Sequence, residues 1–283
     1  MKIVSFYKIY YQHRFLKANF FLKIYLSIVL IIRFYLHYIF FFFSKKDLEV
    51  ISKYNNSLFK KNINYLFSYF NTDKANYLNE NQYDKALFSK YKIDGNSYSK
   101  FYEKYFRKKK YLIKNILEVG CFKGNCLASF YFYFPNATLH GADIFPDIVK
   151  YKSNSRFKKY FVDCSKKSSI LLLSKKIPNL DIIIEDASHY FKDQIFTFFS
   201  LFKKLNSKGI FVIEELDFPD KRLDSNINNE HPTLKEILMQ AKTNKDFSSP
   251  YIKKNEKIYF LKNVDSIEIY KGRYHEICFI KKK

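Results

Sequence analysis

Two short apolar runs each end on carboxylates, and nothing else in the chain constrains its folding as much. Ile182-Ile183-Ile184 leads into Glu185-Asp186-Ala187-Ser188-His189, and Ile210-Phe211-Val212-Ile213 leads into Glu214-Glu215. A continuous apolar run of this length is what a strand buried on both faces of a parallel sheet shows. In an open α/β sheet the ligand crevice lies beyond the carboxyl ends of such strands. The pattern therefore brings several carboxylates and one imidazole to the place where ligands bind. Crowded carboxylates repel one another, so a hard divalent cation is their natural partner.

The same rhythm runs through residues 111–283. Strands are expected over 113–119, 137–143, 157–163, 181–185 and 209–214, with helices over 125–134 and 189–205. The tail offers further strands at 257–261, 266–270 and 276–281. The polar, charged segment 217–247 reads as an excursion over the crevice, a lid. Strands alternating with helices predict an α/β fold with a doubly wound, mostly parallel sheet. A polar, Tyr-rich helical extension is expected over 47–110. In it, Tyr98, Tyr102 and their neighbours have helical spacing, which suits either a core-facing stripe or a substrate-facing one.

Glycine is scarce, with 6 in the chain, so its placement carries information. Glu118-Val119-Gly120-Cys121-Phe122-Lys123-Gly124-Asn125 closes the first strand and opens a helix. Gly120 permits a tight turn, and Gly124 permits a ligand to approach the backbone. The spacing is not the GxGxxG of dinucleotide sites. Asp143 closes the second strand, where an acid accepts hydrogen bonds from vicinal ribose hydroxyls in doubly wound nucleoside-binding folds. Asp163 closes the third.

These residues resemble motif I of class I S-adenosylmethionine-dependent methyltransferases, written (D/E)xGxxxG. The resemblance implies a seven-stranded Rossmann-like methyltransferase sheet that binds S-adenosylmethionine. Glu118, Gly120, Gly124, Asn125 and Asp143 would surround the cofactor, with Asp163 beside the adenine. Asp186-Ala187-Ser188-His189 followed by Glu214-Glu215 resembles, more narrowly, the metal-dependent sugar O-methyltransferases of the macrocin and mycinamicin type. Their motifs read DGSH and then ED. Asn71-Thr72-Asp73-Lys74 resembles their upstream TDK motif, which implies Thr72 and Asp73 in the cofactor site. By this resemblance Asp186, Glu214 and Glu215 hold Mg²⁺, and His189 is the general base. Two departures stand out: Ala187 replaces a glycine, and Glu215 replaces an aspartate. The second lengthens a ligand by one methylene and leaves open whether Glu215 touches the ion. The implied reaction is methyl transfer to a sugar hydroxyl of a glycan, glycolipid or glycosylated metabolite. A nucleic-acid methyltransferase and a non-catalytic binding protein are the alternatives.

The net charge of +23 invites a polyanion partner. However, Lys is enriched together with Asn, Ile, Phe and Tyr, as AT-rich coding produces without selection for binding. The lysines are scattered and form no stripe with stacking aromatics, so nucleic acid is not expected as a partner. Cys121, Cys126, Cys164 and Cys278 lack the paired spacing of a zinc site and read as small buried residues. Nothing in the chain calls for an oxidising compartment, and a cytoplasmic location is expected.

Residues 1–46 differ from the rest. Between Ile24 and Phe43, 14 of 20 positions are Ile, Leu, Val or Phe. About 20 apolar residues suffice to cross a bilayer. Arg33, near the middle, costs about 2.5–3.5 kcal/mol, against about 0.3–0.6 gained per strongly apolar residue, so insertion sums close to neutral. A marginal span, an in-plane interfacial helix and a helix packed on the catalytic domain all remain open. Flanking Lys17, Lys23, Lys45 and Lys46 suit contact of residues 20–43 with a membrane surface, its inner face for a cytoplasmic protein.

Overall fold

The structure, a computed structural model, describes residues 2–16, 18–78 and 93–283. Lys17 and part of the expected 47–110 extension lie outside those residues. The amino-terminal third is helical: α1 (Ile3–Tyr10), α2 (Gln12–Leu16), α3 (Phe20–Phe43), α4 (Leu48–Tyr54), α5 (Ile63–Tyr69) and α6 (Ser99–Phe106). Phe6, Tyr11 and Leu26 pack α1 and the chain after it onto α3. Then β1 (Asn115–Val119), α7 (Asn125–Tyr133), β2 (Thr138–Asp143), β3 (Phe157–Phe161), α8 (Lys167–Lys176) and β4 (Leu180–Glu185) follow. The chain continues with α9 (Phe191–Leu201), β5 (Leu205–Ile213), α10 (Phe218–Lys221), α11 (Leu234–Asn244), α12 (Lys254–Asn263), β6 (Val264–Lys271) and β7 (Glu276–Lys282).

The seven strands form one sheet in the order β6-β7-β5-β4-β1-β2-β3. All pairings from β5 to β3 are parallel, whereas β7 runs antiparallel to both β5 and β6. The order reverses direction between β1 and β4, which is where such sheets open a ligand crevice. Alternating residues serve the two faces. Ile116, Ile182, Ile184, Ile210 and Val212 join the core under α5, α6 and α7. Leu117, Val119, Ile183, Phe211 and Ile213 join the core under α8, α9 and α11. All four cysteines are buried and unpaired.

Three sequence expectations need correction. The predicted strand 257–261 is part of helix α12. Ile258 and Phe260 alternate like strand residues, but only Phe260 is buried, and Glu256 caps the helix start by accepting from the Lys253 amide. The expected helix from His189 begins only at Phe191, because His189 adopts a left-handed φ of 56°. Within 217–247, α11 carries a capping box of Thr233 and Glu236 and buries Leu234, Ile237, Leu238 and Ala241 in the core. That part is packed structure rather than a cover; the segment before it holds Phe218 against His189, with ring centroids 4.8 Å apart.

Gly120, at the exit of β1, has φ 90°, and a Cβ there would stand 1.9 Å from the Asp186 carbonyl oxygen. The Asp186 amide donates to the Val119 carbonyl at 2.9 Å. The turns after β1 and β4 are thus pressed together, which only glycine allows. We predict that Gly120→Ala destabilises the protein by more than about 2 kcal/mol, as a left-handed backbone and a backbone clash act together. Denaturant titration checks this; a change under about 0.5 kcal/mol, the usual range of a surface substitution, would mean the turns can part.

Candidate functional site

A cavity of about 520 Å³ opens at the carboxyl ends of β1, β2 and β4. At one end it is lined by Gly120, Asn125, Asp143 and Asp163. Asp143 accepts from the amides of Phe122 and Phe145, both at 2.8 Å, and so ties together the turns after β1 and β2. Burial nevertheless holds its carboxyl above the usual aspartate value. Asp163 is held the other way: its carboxylate accepts from Ser165 and pairs with Lys166 at 3.0 Å, and these contacts lower it. Asn125 donates to the Asn71 carbonyl at 2.9 Å, binding the loop of Thr72 and Asp73 to the start of α7. Thr72 and Asp73 both line the cavity. Gly124 does not line it. It has φ 81° and a Cβ there would meet the Val149 side chain at 2.8 Å, so its close approach is to the protein and not to a ligand.

The other end of the cavity is a nest of acids around one ammonium. Lys74 Nζ pairs with Asp186, lies 2.6 Å from Glu214 Oε2 and lies 3.8 Å from Glu118 Oε1. Burial alone would lower this lysine, but Asp186 and Glu214 raise it well above its ordinary value and keep it charged. Burial works against Asp186 too, but Lys74 and His189 hold it below the usual aspartate range. One ammonium cannot neutralise all its neighbours. Burial pushes Glu118 up to about 7 and Glu185 and Glu215 up to about 8, and raises Asp73 and Glu214 as well.

Glu214 and Glu215 are adjacent yet face different surroundings. Glu214 is fully buried and does not line the cavity. Its oxygens accept from Lys74 and, at 2.5 Å, from Tyr102, one of the buried aromatics of α6. The aromatic stripe of α6 therefore faces the core, and one of its members also reaches the acids. Glu215 does line the cavity, with φ 52°, and its Oε2 lies 3.1 Å from His189 Nε2. Asp186 Oδ1 lies 3.5 Å from the same nitrogen. Burial holds the His189 imidazole below its ordinary value, in spite of Asp186 beside it, so it is neutral near pH 7.

Among the described residues no group of three or more His, Cys, Asp or Glu side chains is arranged to hold a metal ion. The reason is local: the Lys74 ammonium lies between Asp186 and Glu214. Two of the three expected ligands, Asp186 and Glu215, still converge on one point beside His189. The sequence reading missed the central place of Lys74 and the part of Tyr102. The TDK-like segment marked Lys74, but no local signal says that it reaches acids 112 and 140 residues onward.

No protein-family model and no curated protein sequence matches the chain. Solved structures do. MycE methyltransferase from the mycinamycin biosynthetic pathway, in complex with Mg and SAH, superposes with a TM-score of 0.55 and 18% identity over 78% of this chain and 54% of its own. The MycE complex with Mg, SAH and Mycinamycin VI matches with the same score and identity, over 53% of that chain. This chain thus spans about half the length of MycE. The SAH-bound methyltransferase PaMTH1 of Podospora anserina gives a TM-score of only 0.38 at 13% identity, over 66% of this chain and 79% of its own. At these identities the likeness is one of fold: the chain has the fold of the S-adenosylmethionine-dependent methyltransferases.

The acids predict a pH response. Glu118, Glu185 and Glu215 hold their protons more tightly when folded than at their ordinary value of 4.5. The stability they contribute is complete below about pH 4.5 and is lost as pH rises through about 7 to 8. His140, His189 and His275, lowered from 6.5, act in the opposite sense below about pH 6.5, but Asp73, Asp143 and Glu214 are raised as well and add to the fall. We predict that the melting temperature of the ligand-free protein falls between about pH 5.5 and 8. A flat or rising profile in differential scanning calorimetry would mean that these carboxylates are ionised at no cost.

Proposed function

We propose that the chain is an S-adenosylmethionine-dependent O-methyltransferase. Its acceptor is a hydroxyl of a sugar-containing molecule (a glycan, glycolipid or glycosylated metabolite). His189 is the general base, and a divalent cation such as Mg²⁺ is held by Asp186 and Glu215. The observation that carries this reading is the continuity of one cavity, with Asp143 and Asp163 at one end and Asp186, His189 and Glu215 at the other. A methyl donor and an alcohol can lie side by side there.

Methyl transfer to an alcohol is an in-line displacement: the O–C bond forms, the S–C bond breaks, and the hydroxyl proton must leave. Positioning accounts for much of such a rate. The proton needs an acceptor that is neutral at working pH, and His189 meets that need: burial keeps the imidazole unprotonated, and Nδ1, which has no hydrogen-bond partner, carries the lone pair. Asp186 and Glu215, which accept from Nε2 on the other side of the ring, orient it and favour the imidazolium once formed. The left-handed backbone at both His189 and Glu215 is strain of a kind that collects at working sites.

The donors suit a hard cation. They are oxygens, and magnesium is commonly held by one or two carboxylates, with water or substrate in its other positions. When bound, such an ion lowers the pKa of a coordinated hydroxyl and orients it. Glu214 then acts as the buried counter-charge of Lys74 and not as a ligand. The Mg and SAH in the MycE crystals lend support to both groups here. Vicinal hydroxyls of a sugar suit such an ion because they chelate it in two positions. A polyanionic acceptor is disfavoured, since its phosphates would have to approach the acids.

His189→Ala is expected to lower turnover at least ~100-fold, the scale of a general base, while S-adenosylhomocysteine affinity by calorimetry stays within about threefold. Unchanged turnover would remove His189 from the chemistry. A chelator is expected to abolish methylation of sugar acceptors by labelled cofactor, and Mg²⁺ to restore it. Full activity in excess chelator would leave Lys74 as the cation the site uses.

A further inference from the structure

The amino-terminal helices lie against this cavity, and their arrangement decides among the readings left open for residues 20–43. Helix α3 is the one helix among the described residues long and apolar enough to cross a membrane. Its middle is covered by α1: Phe6 meets Phe34 and His37 at 5.8 and 5.2 Å, and Tyr10 meets His37 at 5.7 Å. On an adjacent face α1 rests on the catalytic domain. Ser5 Oγ donates to Asp147 at 2.9 Å, the Lys2 amide donates to the same carboxylate, and Ile9 lines the cavity. The centre of α3 is thus about one helix diameter, roughly 10–12 Å, from the catalytic domain. Were α3 to cross a bilayer of about 30 Å, its centre would lie at the midplane, and Asp147 and the cavity mouth would be drawn into hydrocarbon. The packing speaks against a span.

The residues of α3 sort accordingly. At 3.6 residues per turn, its polar residues Lys23, Ser27, Arg33 and His37 fall in the half that holds Leu26 and Leu30, which faces α1. The opposite half carries Phe21, Tyr25, Ile28, Ile32, Tyr35 and Ile39, each more than half exposed. Leu22 and Phe40 are also exposed, beside Arg33, so the apolar face is broad, but Lys23 and Arg33 fall in the half turned towards α1, as in a helix lying in a membrane interface. Charge agrees: residues 1–46 contain 8 Lys and Arg and no Asp or Glu. Anionic headgroups attract such a segment.

We propose that α3 lies in the plane of an anionic lipid surface, its Phe21–Ile39 face immersed, and that α1 joins it to the wall of the cofactor cavity. The cavity mouth then stands one helix thickness above the bilayer. This goes beyond the methyl-transfer reading and does not need it.

The test is flotation of the full chain with vesicles of phosphatidylcholine alone or mixed with phosphatidylglycerol. The wild type is expected to float with the mixed vesicles, less so at high salt. A variant combining I28D, I32D and I39D is expected to lose at least about tenfold in partitioning. Those side chains are exposed, so melting temperature and S-adenosylhomocysteine affinity should be unchanged; the latter measurement reads the methyl-transfer site separately. Cysteines introduced as N19C and S44C, at the two ends of α3, distinguish the orientations, the native cysteines being buried. With protein added to preformed vesicles, an impermeant thiol reagent should label both ends. Labelling of one end only would show a span and overturn the proposal. So would wild type that fails to float, a triple variant that floats equally, or a soluble dimer that the triple variant dissociates.

Discussion

The ammonium of Lys74 is the interaction on which the rest of the architecture depends. It stands among acids from the ends of β1, β4 and β5, and it comes from the loop after α5, far away in the chain. Buried like charges are costly unless paired and hydrogen-bonded, and losing one member of such a group leaves the others uncompensated. The helical extension and the sheet are therefore joined by more than apolar packing. Tyr102 adds a second tie, from α6 to Glu214. The same arrangement leaves a deficit. One lysine serves Glu118, Asp186 and Glu214, while Asp73 and Glu215 face the cavity with no cation on them. Their surroundings push both toward protonation. A site built this way favours positive charge, and a sulfonium and a divalent ion are both of that kind.

The adjacent Glu214 and Glu215 show how the backbone divides labour. Glu214 continues the strand and points into the core with Lys74 and Tyr102. At Glu215 the chain turns to φ 52°, which sends its carboxylate to His189. His189 makes the matching turn after β4, at φ 56°. Gly120 completes the set by letting the β1 turn touch Asp186. Three unusual backbone positions at three neighbouring strand ends thus bring the β1 turn, the His189 imidazole and a carboxylate pair around one space.

The sheet was legible because β4 and β5 hold continuous apolar runs ended by acids, a signal that needs no partner to be read, and β1 and β2 end at Gly120 and Asp143. The mostly parallel order and the crevice at the β1–β4 switch follow from that pattern. Most of the site was legible for the same reason, since Asp143, Asp163, Asp186 and Glu215 are strand-end residues. What could not be read was direction and reach. Nothing local says that Glu214 turns inward, that Gly124 packs on Val149, or that Lys74 crosses to two strands. In α12, Ile258 and Phe260 carried a two-residue period that the helix does not use, because its burial rests on Phe260. In α8, a Ser- and Lys-rich stretch hid a helix that buries only Ile170, Leu173 and Ser174.

Residues 20–43 illustrate a different limit. Summed hydropathy cannot tell a spanning helix from a one-sided one, because it discards angle. Arg33 counted as a cost near the middle of a span; by angle it belongs to the half of α3 turned towards α1, with His37 and Lys23. That half is defined by α1, whose seat depends in turn on Asp147 just after β2. The orientation of the most apolar segment in the chain is thus set by a carboxylate in the catalytic domain. The same geometry explains why an apolar residue of α1, Ile9, helps to enclose the cavity. A helix held between α3 and the cavity contributes one face to each. Its position over the cavity is fixed from both sides only when α3 is seated.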